Sequence, residues 1–188
     1  MFYKNYIFGI VGVAIEQQNK VNCSVDVTFS LTKEDYNLGM LGTVVPTIRE
    51  NDGFVVYKFV PFLGFFCKSE SEVVYDSVYK CAIRWTNIVF GKVLDVGFMS
   101  QDHCRASANA AKANWPGITI VDCYPHIYRN MWKNKDKMVN NANFLPKVHE
   151  CLSTLHLAAN KSVFTLLSDT ILKDWRNIQH ERIFADYF

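Results

Sequence analysis

Two aspartates carry the clearest chemistry in this chain. Asp26 lies in the alternating stretch Val25-Asp26-Val27-Thr28-Phe29, and Asp102 follows the apolar run that reaches Phe98-Met99. From Phe98 to Asn130 the chain then sets out an ordered series. It contains Asp102, an Ala-rich run to Ala113, Trp115-Pro116-Gly117, Ile118-Thr119-Ile120-Val121, Cys123-x-x-His126 and Arg129-Asn130. A carboxylate held at the end of a packed strand is a hard, well-positioned oxygen donor, the kind that Mg²⁺ or Mn²⁺ takes. Two that converge can serve a metal-assisted attack on a phosphodiester. The competing reading makes each aspartate an ordinary strand-end or turn acid.

Convergence needs particular elements around the two acids. Alternation over Val21–Phe29 puts Val25, Val27 and Phe29 on one face and Asp26 and Thr28 on the other. Tyr36–Val45 reads as a second strand, and Glu50-Asn51-Asp52-Gly53 as a turn. Phe54–Phe66 reads as a third strand, interrupted by Pro61, which makes an antiparallel meander. The period then becomes helical from Glu70 to Trp85, with Val74, Val78, Ala82 and Trp85 in step, Ser69 as the cap and Glu72 as a capping-box acid. Val93–Met99 is a fourth strand, Ala106–Ala113 a helix and Ile118–Val121 a fifth strand. The predicted order is β-β-β-α-β-α-β, an α/β fold in which strands one and four can be neighbours in a mixed sheet.

Beyond His126 the pattern is helical, with candidates at Phe144–Ala159, Ser162–Trp175 and from Ile178 onward. Three regions are expected: an apolar N-terminal segment over residues 1–20, a core over 21–130 and a helical segment over 131–188. The run Tyr6–Ile15 faintly resembles a signal peptide, but its charged flank is thin and it is too short to span a bilayer. A buried strand or helix is the better reading, and no membrane partner is expected.

Arg129, Lys133, Lys135 and Lys137 could contact phosphates, with Trp132 stacking on a base. The alternative is a solvated helix face with the tryptophan turned inward. Trp85, Trp115 and Trp175 read as core. Cys123 and His126 are too few for structural zinc without two further ligands, for which His103 and Cys104 are the nearest candidates, so zinc is not expected. A buried thiol and a hydrogen-bonded histidine explain the pair as well. His149, His156 and His180 show no ligand spacing.

The net charge of +2 is too small to argue for nucleic acid by itself, so that claim rests on local residues. With 49% hydrophobic and 20% charged residues the chain is not largely disordered. Its six cysteines lack the regular spacing of a disulfide framework, which points to reduced thiols and an intracellular setting.

Several of these features together resemble the transposase domain of Mutator-like elements. Val25-Asp26-Val27-Thr28-Phe29 is similar to that family's first-aspartate strand, and Glu70-Ser71-Glu72 with Tyr75 to its acidic-serine segment. Asp102, the Ala-rich helix, Trp115-Pro116, Cys123-x-x-His126 and Asn130 resemble its second-aspartate block in order and spacing. The likeness runs from about Val21 to Asn130. It implies a ribonuclease H-like fold and an Asp-Asp-Glu site that cuts and joins DNA with Mg²⁺ or Mn²⁺. Asp26 and Asp102 match the first two acids, and Cys123 and His126 would support the site. The third acid of such enzymes lies on a late helix after a helical insertion. Glu181 is the one glutamate in the last helical segment, with Glu150 and Asp174 as weaker choices. The chain ends within or just after that insertion, so it reads as a fragment or a decayed copy. The implied partners are DNA and a homo-oligomer, and the implied compartment is the nucleus. A non-catalytic DNA-binding or regulatory remnant and a small Cys/His metal-binding module are the alternative functions.

Overall fold

The computed structural model describes residues 20–28, 34–177 and 180–187. The expectations for Tyr6–Ile15, for Phe29 and for Ile178 lie outside them. Five strands alternate with helices in the anticipated order: β1 (Val21–Thr28), β2 (Asn37–Ile48), β3 (Val55–Cys67), α1 (Glu72–Phe90), β4 (Val96–Gln101), α2 (Arg105–Asn114) and β5 (Thr119–Asp122). There follow α3 (Tyr124–Lys133), a 3-10 turn (Lys135–Lys137), α4 (Asn141–His156), α5 (Lys161–Asn177) and α6 (Arg182–Tyr187). The chain divides into two compact units between Cys123 and Tyr124. That boundary precedes the expected one at Asn130 and assigns Cys123 and His126 to different units.

In the first unit the strands form one mixed sheet in the order β3-β2-β1-β4-β5. β1, β2 and β3 are antiparallel neighbours, while β4 runs parallel to both β1 and β5. The meander follows from short connections. Gly53 takes the left-handed conformation that the 50–53 turn needs (φ 71°). Pro61 does not end β3. The ladder shifts register at Leu41/Gly42, opposite Pro61, so the missing N–H falls at an irregularity.

One face of the sheet is apolar and covered. Val21, Cys23 and Val25 of β1, Leu41 of β2, and Val96 and Met99 of β4 form a core with Tyr75, Val78, Tyr79 and Ala82 of α1 and Ala110 and Ala111 of α2. Burial pushes the Cys23 thiol up to about 12, so it behaves as an inert apolar group. Tyr79 reaches the Ser107 hydroxyl at 2.7 Å, and the Trp115 indole N–H donates to the Leu94 carbonyl at 2.8 Å. These buried bonds hold α2 against α1 and tie its end to the entry of β4.

Two helix readings need correction. The cap of α1 is Ser71 rather than Ser69: its hydroxyl accepts from the Val74 N–H, and Glu72 is the first helical residue rather than the third. Trp85 is 57% exposed, because the buried stripe of α1 runs through Tyr75, Val78, Tyr79, Ala82 and Thr86. Trp115 and Trp175 are buried as expected.

The second unit is helical. Its core joins Met131, Met138, Phe144, Val148, Leu152, Trp175 and Phe184. The rings of Phe144, Trp175 and Phe184 meet at centroid separations of 5.5 to 5.9 Å. Among the described residues, no helix is long and apolar enough to cross a membrane.

Candidate functional site

The register of β1 against β4 determines where the two aspartates stand. Val21 pairs with Val96, but Asn22 pairs with Phe98, so Gly97 is an extra residue in β4. After this bulge Cys23 meets Met99, Ser24 meets Ser100 and Val25 meets Gln101. That is the last pair: Asp26 follows in β1, and Asp102 follows the end of β4 at Gln101. Without the bulge, Asp26 would fall beside Gln101. Alternation places Asp26 on the face opposite the helices, in line with Asn22 and Ser24 of β1, and both acids are exposed. Neighbouring strands lie about 4.8 Å apart, so two carboxylates at matched positions repel, and a cation between them relieves that repulsion.

The bulge depends on glycine. A Cβ built on Gly97 would lie 2.7 Å from the Lys20 Cβ, too close without backbone movement. Gly97→Ala is therefore expected to cost about 1–2 kcal/mol of stability. Chemical denaturation measures this effect.

Asp102 sits at the bend between β4 and α2. Its Oδ1 accepts from the His103 N–H at 2.8 Å, which fixes the carboxylate against its own backbone. Gln101, one residue earlier, points to the buried face and donates through Nε2 to the Cys104 carbonyl at 3.0 Å. β5 continues the row: Gln101 pairs with Asp122, and the Cys123 N–H donates to the Gln101 carbonyl at 2.7 Å. Cys123 thus follows the last pair of β4 and β5, next along the chain from Asp122. His126 belongs to the helical unit.

Sequence patterning does not foresee the pair His103–Asp122, with Nδ1 and Oδ2 2.8 Å apart. An accepting carboxylate at Nδ1 leaves the other ring nitrogen of neutral His103 as an acceptor. Asp122 closes β5 as Asp102 closes β4, at the C-terminal ends of adjacent parallel strands. That parallel was the available signal. The pair is largely exposed and contributes little to stability.

Glu70-Ser71-Glu72 serves the start of α1. Glu70 accepts from the Tyr75 hydroxyl, Ser71 caps the helix, and Glu72 accepts from Asn109 Nδ2 at 3.1 Å. Burial and then the Glu70 carboxylate push the Tyr75 phenol well above its ordinary range, so it stays a donor.

Glu181 does not fit the role of third acid. It is 2% exposed, and its two oxygens accept from the backbone N–H groups of Val139 (2.7 Å) and Asn140 (2.9 Å), just ahead of α4. Both oxygens are committed inside the second unit. Asp174 is paired with Lys147 at 2.9 Å, and Glu150 is exposed on α4. Among the described residues, no group of three or more His, Cys, Asp and Glu side chains gathers as a metal cluster. Neither a complete carboxylate triad nor a Cys/His module with His103 and Cys104 is therefore assembled there.

On α3, Arg129, Trp132 and Lys133 are exposed at the i, i+3 and i+4 positions of one helix face. Trp132 leans edge-on against Tyr128, with centroids 6.3 Å apart, and remains 44% exposed. Lys135 is also exposed, whereas Lys137 is tied down over the Tyr187 ring, 4.6 Å from its centroid. His156 stacks on Tyr124 and His149 packs against Tyr128, so both serve the α3–α4 contact. No protein-family model matches this sequence, and no significant match is found among curated proteins.

Proposed function

We propose that the chain is a ribonuclease H-like, transposase-type domain acting on DNA through a divalent ion held by Asp26 and Asp102. The observation that carries this reading is the parallel pairing of β1 with β4, shifted by the Gly97 bulge so that Val25 stands beside Gln101, each one residue ahead of an acid. Their chemistry suits the ion: two exposed carboxylates, no soft ligand required, and room for the waters that Mg²⁺ or Mn²⁺ retains. When bound, such an ion would activate a water or sugar hydroxyl and neutralise charge on a phosphodiester. Asp26 and Asp102 would hold and orient it. His103, its ring anchored by Asp122, would order solvent next to Asp102. Arg129, Lys133 and Lys135 would neutralise phosphates, and Trp132 would stack on an unpaired base. On this reading the chain works in the nucleus.

The purified chain should nick DNA in Mn²⁺ or Mg²⁺ and bind it with a steep salt dependence. Arg129→Ala with Lys133→Ala should lower the slope of log affinity against log salt by about 2, one for each phosphate no longer neutralised. An unchanged slope removes α3 from the interface.

A second reading is a DNA-binding remnant without cleavage. It is favoured by Glu181, whose oxygens are committed to a helix start. Salt-dependent binding without nicking at any divalent-ion concentration selects it.

A further inference from the structure

Tyr124, Tyr128 and Trp132 recur every four residues in α3, so their rings follow one another along one side of the helix. α4 answers the first two with imidazoles. His156 stacks on Tyr124, with centroids 4.4 Å apart and planes at 27°, and His149 meets Tyr128 at 5.1 Å and 79°. Both tyrosines are thereby half-buried in the α3–α4 contact. Trp132, the third ring, meets Tyr128 at 6.3 Å and 66° and keeps 44% of its surface in solvent. An edge-to-face contact of this kind covers at most one face of the indole, which leaves the other for a further ring. The charge around it is positive. Arg129 and Lys133 are exposed three residues before Trp132 and one after, and Lys135 is exposed beyond them. Asp136 is the one acid between Tyr124 and Lys137.

We infer that α3 takes an unpaired DNA strand in preference to a duplex, with a base lying on the Trp132 indole and the neighbouring phosphates on Arg129 and Lys133. The inference rests on the DNA reading above and names the form of DNA. Within a duplex each base is covered on both faces by its neighbours, so a ring on a helix surface reaches a base face only by prising the stack apart. An unpaired base offers its face directly. Tyr128 already holds the indole against the helix, so stacking a base on it immobilises little that is not fixed beforehand. Electrostatics alone favours the duplex, which carries the denser charge. With two phosphates contacted, the difference in salt slope between the two forms amounts to about twofold at physiological salt. One stacked base is worth about tenfold. Stacking therefore decides the preference.

Fluorescence anisotropy tests it, with labelled oligothymidine and a labelled duplex of the same length titrated by the full chain in one buffer. The single strand should bind about five- to tenfold more tightly than the duplex. Trp132→Leu keeps an apolar side chain against Tyr128 but has no ring face, so it should bring the ratio of the two affinities near one. Trp132→Phe restores a ring and should keep most of the preference. Arg129→Ala with Lys133→Ala should weaken both forms, since both carry phosphates. Trp85, 57% exposed on α1, is the other exposed indole, and Trp85→Leu should leave the ratio as it is. Circular dichroism of each variant checks that the helices persist. Equal affinity for the two forms overturns the inference and leaves the DNA reading standing. A preference that survives Trp132→Leu, or that Trp85→Leu abolishes, overturns it as well. Absence of salt-dependent binding to either form removes the DNA reading, and this inference with it.

Discussion

Asp26→Asn and Asp102→Asn are each expected to lower divalent-dependent DNA nicking by about 10³-fold or more while leaving the fold intact. The argument is electrostatic. Each acid is exposed and lies off the apolar core, so the amide replaces the carboxylate without a packing cost. The amide keeps the size and shape of the carboxylate, so the metal-free melting temperature should stay near that of the parent. What disappears is the attraction for a cation. Saturating Mn²⁺ at about a hundred times its dissociation constant should stabilise the parent by about 2.7 kcal/mol and either variant by far less. Thermal melts with and without Mn²⁺ give that comparison without any assay of activity. If both variants keep the full Mn²⁺-induced stabilisation, the ion binds elsewhere and the proposed site is wrong. If stabilisation is lost but the parent never nicks DNA, the site binds metal and the second reading stands.

The strands that carry the two acids were legible from sequence, for a definable reason. β1 and β4 announce themselves by alternating or apolar runs, each acid closes or interrupts such a run, and a β-β-β-α-β-α-β order lets strands one and four become neighbours. The register was not legible. Gly97 gives no sign in the sequence that it is an extra residue, and the bulge shows only once Lys20 is seen against it. The His103–Asp122 pair escaped for a related reason: a contact between two strand ends depends on a register that hydrophobic periodicity does not encode. Trp85 was misjudged because a step of three or four residues from Ala82 can continue along either side of a helix stripe, and the buried side passes through Thr86. The exposed hairpin face was hidden in plain view. Val44, Ile48, Tyr57 and Phe59 read as core by residue type, and their place on the sheet face opposite the helices leaves them uncovered.

Glu181→Ala is expected to cost the helical unit about 3 kcal/mol, because two backbone N–H groups lose the charged acceptor that a buried side chain supplies. Glu181 joins three elements. Its carboxylate receives the Val139 and Asn140 N–H groups before α4, its own N–H donates to the Trp175 carbonyl at 2.9 Å in the last turns of α5, and its carbonyl accepts the Ala185 N–H at 2.9 Å in α6. A carboxylate facing the N-terminus of α4 also meets the positive end of the helix dipole. Glu181→Gln should not rescue, since its amide turns one acceptor into a donor aimed at an N–H. Trp175, 1% exposed in the same core, reports the loss through its fluorescence on denaturation. The measurement that separates this role from that of a metal ligand is made on the folded protein below the shifted midpoint. A structural cap leaves Mn²⁺ affinity within about twofold of the parent, whereas a third ligand would cost about tenfold or more. A variant that melts like the parent and has lost Mn²⁺ affinity would return Glu181 to the site. The two N–H bonds of 2.7 and 2.9 Å that occupy both Glu181 oxygens argue for the opposite result.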